Sequence, residues 1–111
     1  MEIRERQQNG ATVIELTGRL TVNDQPGLLK GAVGAAVDRG ARHVVLDLSS
    51  VLYIDSTRLG ELIASHVTLT RVGGSLRLAG APPRVNELFT MAGLDGVFRS
   101  YASIDEAVAA S

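Results

Sequence analysis

The stretch Val44–Gly60, VVLDLSSVLYIDSTRLG, constrains the fold of this chain more than any other. It opens as a near-continuous apolar run, Val44, Val45, Leu46 and Leu48, interrupted only by Asp47. A strand with one wet face would alternate, so this run reads as a strand buried on both faces of a parallel sheet. The pattern places the strand at His43–Leu48 and a short connection at Ser49–Ile54. A helical pattern starts at Asp55-Ser56-Thr57. A carboxylate and two hydroxyls therefore stand at the mouth of a helix, just past the carboxyl end of a central strand. Open α/β sheets tend to carry their sites there.

The flanking sequence supplies the rest of such a sheet. Residues 2–7 alternate weakly as an edge strand, and Asn9-Gly10 is a two-residue hairpin signal. Thr12–Thr17 is β-branched and apolar and reads as the partner strand, ended by Gly18-Arg19-Leu20. Asn23 or Asp24 is placed to cap the next helix, with Pro26 in its first turn. Leu28, Leu29, Val33, Ala36 and Val37 form that helix's apolar face, and Gly40 stops it. The helix after the central strand spans about Ser56–Val72, with Leu59, Leu62, Ile63 and Val67 as its inward stripe and Gly73-Gly74 as its stop. Ser75–Ala79 alternates like a strand. Pro82-Pro83 opens a third helix carrying Val85, Leu88, Phe89 and Ala92 at helical spacing, and Gly93-Leu94 has the form of a Schellman end. Val97–Tyr101 is a last short strand. Ser103 and Glu106 make a capping box ahead of an Ala/Val helix.

The predicted order is ββαβαβαβα. It implies an α/β fold: a small mixed sheet with an N-terminal antiparallel hairpin followed by parallel βαβ units with right-handed crossovers, and helices packed on it. At 111 residues the chain is expected to form a single domain over 1–111.

Composition narrows the function classes. Hydrophobic residues make up 45% and charged residues 21%, with a net charge of -1, which gives no basic surface for nucleic acid or anionic membrane. The aromatics are Phe89, Phe98, Tyr53 and Tyr101, too few for base-stacking platforms. No apolar run approaches the ~20 residues that span a bilayer, and MEIRERQQNG lacks the apolar core of a signal peptide. Cysteine is absent, which excludes disulfides and thiolate metal sites. A cytoplasmic location is the simplest expectation.

Enzymatic chemistry finds no footing in the motifs. His43 and His66 are far apart, and neither has a ligand partner at metal-site spacing, so no cofactor or metal is expected. A triad of Ser56, His66 and Asp55 fails on distance, since ten helical residues at ~1.5 Å each separate Ser56 from His66 by ~15 Å. Gly31 and Gly34 lie inside a helix, and no phosphate-binding glycine loop occurs. Asp38, Glu61, Glu87, Asp95, Asp105 and Glu106 are scattered and read as solvated.

That leaves Asp55-Ser56-Thr57. The plainest role is a helix cap, because these side-chain oxygens accept the orphan N–H groups of a first turn. A second role is compatible with it. An exposed hydroxyl in the first turn can accept a phosphoryl group, and the helix N-terminus tolerates the added charge of about -1.5 to -2. The fold would survive the modification, while a partner docked over the mouth would meet a new dianion.

These residues resemble a known family. Leu46-Asp47-Leu48 together with Tyr53-Ile54-Asp55-Ser56-Thr57-Arg58-Leu59-Gly60 is similar to the signature of STAS domains, specifically bacterial anti-sigma factor antagonists. The likeness extends to Gly18-Arg19-Leu20, to Gly73-Gly74-Ser75-Leu76, and to Val85-Asn86-Glu87-Leu88-Phe89 with Ala92-Gly93-Leu94, so it covers nearly the whole chain. The resemblance implies a protein-binding module. Its unphosphorylated form would bind an anti-sigma factor, usually a serine-protein kinase of the histidine-kinase-like ATPase fold, and so free a sigma factor. The kinase would phosphorylate the motif hydroxyl and a phosphatase would reset it. The family's usual acceptor is the second hydroxyl, here Thr57, with Ser56 as its neighbour. Asp55, Ser56, Thr57, Arg58, Gly60 and Thr21 would form the partner surface.

Two positions depart from the family pattern. Arg58 stands where glycine is usual, so a long cation beside the acceptor either obstructs a kinase site or pairs with the phosphate once formed. Thr21 stands where an acid is frequent. The alternative reading is an STAS accessory subunit of a lipid-transport ABC complex or a stress-signalling assembly, packed permanently by the same surface. A small enzyme or nucleotide-binding domain is the third class, and no acid–base pair or phosphate loop supports it. The first strand's exposed edge is compatible with a homodimer.

Overall fold

The computed structural model describes residues 2–20, 27–94 and 96–110. The expected capping residues Asn23 and Asp24, together with Pro26 and Asp95, lie outside them. A five-stranded sheet runs β1 (Glu2–Gln8), β2 (Ala11–Leu20), β3 (His43–Ile54), β4 (Ser75–Ala79), β5 (Arg99–Tyr101), and its spatial order is its chain order. β1 pairs antiparallel with β2 through the tight turn at Asn9-Gly10, and the remaining pairings are parallel. The mixed α/β sheet read from the sequence is the observed one.

The helices are α1 (Leu28–Asp38), α2 (Ser56–Arg71), α3 (Pro83–Met91) and α4 (Ile104–Ala109). Leu29 and Val33 of α1, Leu62 and Leu69 of α2, and Val85 and Phe89 of α3 close one core against Ile14, Leu16, Val44, Leu46, Leu48, Leu76 and Leu78. Ala107 and Val108 of α4 close a smaller one on the opposite face, against Ala11, Val13, Val45 and Ala79. β3 therefore needs apolar side chains on both faces, which is why Val44–Leu46 runs without alternation.

The helix ends follow local chemistry. At the end of α3, Leu94 N–H donates to Phe89 O at 2.8 Å and Gly93 N–H to Thr90 O at 3.0 Å, with Gly93 at φ 74, which is the expected Schellman end. Ser103 Oγ accepts from Glu106 N–H at 3.2 Å, while the Glu106 carboxylate accepts from Ala102 N–H rather than from the cap residue itself. α1 begins after Gly27 in the left-handed region, with no side-chain bond from its own cap residue.

Four expectations are corrected. Residues 49–54 are not a connection but the second half of β3, and β2 does not stop at Thr17 but pairs on through Gly18 to Leu20. The register slips twice here: Glu15 opposes Asp47 while Thr17 opposes Ser50, and Gly18 opposes Val51 while Arg19 opposes Tyr53. Each slip places an extra residue on β3, so the inward positions become Leu48, Val51 and Ile54, and pairs of consecutive residues face out between them. A period of two becomes a period of three, which disguises the strand. The last short strand starts at Arg99 rather than Val97. The fourth correction concerns α2. Its buried face is Arg58, Leu62, Ser65 and Leu69, whereas Ile63 and Val67 are 36% and 40% exposed.

Candidate functional site

The long strand and the second helix together build the site. β4 pairs with β3 only as far as Asp47, so the second half of β3 continues with β2 alone as a two-stranded ribbon. The ribbon's second bulge leaves Leu52 as its extra residue, and Leu52 is 61% exposed. Tyr53 is exposed beside it, and Ile54 turns back into the core. Asp55 then adopts extended dihedrals, and its Oδ1 accepts from Arg58 N–H at 2.9 Å, capping α2 as the sequence predicts. Ser56 and Thr57 occupy the first turn and are both exposed. Gly60 is exposed one turn further on, and a Cβ there would meet nothing within 4 Å. Ile63 and Val67 extend the same outward side along the helix. The helix mouth is thus flanked by an apolar surface that the sequence reading placed in a loop or in the core.

Arg58 does not point out beside the acceptor hydroxyls. Its side chain is 2% exposed and pairs with Glu61 on the next turn, whose side chain is 11% exposed. Glu61, read from sequence as a solvated acid, also accepts from the Lys30 backbone N–H at 3.2 Å. Lys30 lies in the first turn of α1, where N–H groups have no intrahelical acceptor. The second helix thereby supplies the cap that Gly27 cannot. The opposite charges at Arg58 and Glu61, three residues apart, were the sequence signal for this pair. Thr21, the remaining expected surface residue, lies outside the described residues.

Neither histidine joins the mouth. His43 starts β3 at the far end of the sheet, with Nδ1 3.0 Å from Ser75 Oγ, and the His66 ring meets Phe98 edge-on at 5.7 Å. Among the described residues no group of three or more His, Asp or Glu side chains is placed to hold a metal ion. No described helix is long and apolar enough to cross a membrane.

A small mixed sheet in chain order, helices on both faces, and a hydroxyl-bearing helix mouth after the central strand define a class, and comparison with known proteins gives the same class. Residues 3–100 match the family model described as Mlab, STAS domain, and the chain belongs to the STAS domain family. BtrV of Bordetella bronchiseptica, named as a candidate anti-sigma factor antagonist, is 37% identical over 82 residues, covering 74% of this chain and 71% of that protein. The anti-sigma F factor antagonist of Paenibacillus polymyxa is 24% identical over 91% of this chain and 86% of its own. Among solved structures, an anti-sigma factor antagonist from Mycobacterium paratuberculosis superposes with a TM-score of 0.86 at 26% identity, over 98% of this chain and 92% of that one.

Proposed function

We propose that the protein is an anti-sigma factor antagonist, a non-enzymatic binding module that docks an anti-sigma factor over the α2 mouth and is released by phosphorylation there. The observation that carries this reading is the pairing of exposed Ser56 and Thr57 with the exposed apolar residues Leu52 and Tyr53 on the adjoining ribbon. The names of the relatives support the same role. The apolar residues and Gly60 supply contact area, and the hydroxyls supply the switch. A serine-protein kinase partner would transfer the terminal phosphoryl group of ATP to a motif hydroxyl. The bond to ADP breaks, the new P–O bond forms, and the hydroxyl proton leaves to the kinase's base. The charge of about -1.5 to -2 then faces the docked partner. A phosphatase would restore the hydroxyl. The setting is cytoplasmic and involves neither nucleic acid nor membrane.

Affinity capture from the native cell, followed by binding measurements with the recovered anti-sigma factor, tests this directly. Thr57→Glu and Leu52→Asp are each expected to weaken binding at least tenfold while leaving the fold intact. Undiminished binding by both variants would remove the proposed surface. Mass spectrometry after incubation with the kinase and ATP should find phosphate on Thr57 or Ser56, and its absence would remove the switch.

The exposed Ile63 and Val67, which lengthen the apolar surface along α2, favour a second reading. In that reading the same surface packs permanently in a lipid-transport or stress-signalling assembly without phosphorylation. A neighbouring permease and ATPase gene pair, in place of kinase and sigma factor genes, would select it.

A further inference from the structure

The two hydroxyls of the helix mouth have different surroundings. Thr57 precedes Glu61 by four residues, so the two share one side of α2, with Cβ atoms about 5–6 Å apart. Glu61 Oε1 accepts from the Lys30 backbone at 3.2 Å, so that side is the one turned towards the first turn of α1. Ser56 precedes Gly60 by four residues instead and stands on the outward side that continues to Ile63 and Val67. Lys30 is exposed, and among the described residues its ammonium forms no ion pair.

We propose that Lys30 is the residue that receives a phosphate carried on Thr57 Oγ1, closing a charge-assisted contact from α2 to α1, and that a phosphate on Ser56 does not reach it. The proposal rests on the reading of the helix mouth as a phosphorylation site. Two features of the pair favour the contact. The Lys30 stem is flexible and its ammonium carries three rotatable donors, so it reaches a neighbouring helix without backbone movement. The Glu61 carboxylate, which would repel a dianion one turn away, is already paired with Arg58. The contact would do more than expose a charge to a partner. It would strap α1 to α2 across the surface the partner uses, so that Thr57 and Ser56 are not interchangeable acceptors.

The test is a ³¹P NMR titration of the full chain carrying genetically encoded phosphothreonine at position 57. The second ionisation of such a phosphate is ordinarily near pH 6. Among the described residues, the charged groups on the adjoining elements are Asp55, Arg58 and Glu61 on α2, Arg19 on the β2 end of the ribbon, and Lys30 on α1. All but Lys30 are retained in Lys30→Gln, so the difference between the two proteins isolates the ammonium. The expected result is an ionisation lower by roughly half a pH unit or more with Lys30 than with Lys30→Gln. Lys30→Arg is expected to keep the lower value, and phosphoserine at position 56 to respond to neither change. Equal titrations with and without Lys30 would overturn the contact, as would an equal response at position 56. The readout needs no partner. A protein that binds no anti-sigma factor yet shows the shift refutes the proposed function and leaves the Lys30 contact standing, and the converse refutes the contact alone.

Discussion

The two halves of β3 belong to one strand and do opposite things. From Val44 to Asp47 the strand is paired on both edges, to β2 and β4, and Val44–Leu46 are covered on both faces. From Ser49 to Ile54 it is paired with β2 alone, is bulged twice, and shows Leu52 and Tyr53 to solvent. The same apolar residue types serve both halves. What separates them is the number of neighbouring strands and the register, so a leucine at position 46 fixes the fold while one at position 52 is available to a partner. Exposed residues placed on a stub of the central strand inherit the rigidity of the core without contributing to it.

This contrast can be broken from either side. The largest losses belong to the buried groups. Arg58→Ala leaves Glu61 without its buried partner and is expected to cost about 3–4 kcal/mol in urea unfolding. Arg58→Met refills the buried volume but still leaves Glu61 unpaired, so it should recover only the packing part of that loss. Leu46→Ala, at a fully buried position, is expected to cost about 3 kcal/mol. Asp55→Ala removes the α2 cap and should cost about 1 kcal/mol, with faster amide exchange confined to the first turn of α2. At the bottom of the scale, Leu52→Ala is expected to change stability by less than about 0.5 kcal/mol. A Leu52→Ala loss comparable with that of Leu46→Ala would mean that the ribbon is core after all and would collapse the distinction.

The first half of β3 was legible in the sequence because two-sided burial writes itself as an unbroken apolar run. The second half was not, because its bulges abolish the period of two by which half-buried strands are recognised. The cap at Asp55 and the Schellman end at Gly93-Leu94 were legible for a local reason: each depends on residues within one turn. The inward face of α2 was misread because the buried side uses Arg58 and Ser65 while Ile63 and Val67 lie outside, so the apolar residues trace the wrong stripe. A charged residue satisfied by a partner one turn away can occupy the interior, and only the fold reveals that α1 is there to seal it. The same applies to Lys30 and Glu61, which are distant in sequence and are brought together by the packing of α1 on α2.

The order of the sheet also bears on how the protein is made. Because each strand lies beside its predecessor in the chain, a polypeptide leaving the ribosome finds the docking edge for every new strand already in place. The β1–β2 hairpin can close first, β3 can add to it once α1 has emerged, and β4 and β5 follow in turn. No strand has to wait, exposed, for a later one to be inserted between it and its neighbour. Of the strands that wait at a growing edge, β3 is the most apolar, and it is relieved after the synthesis of one helix.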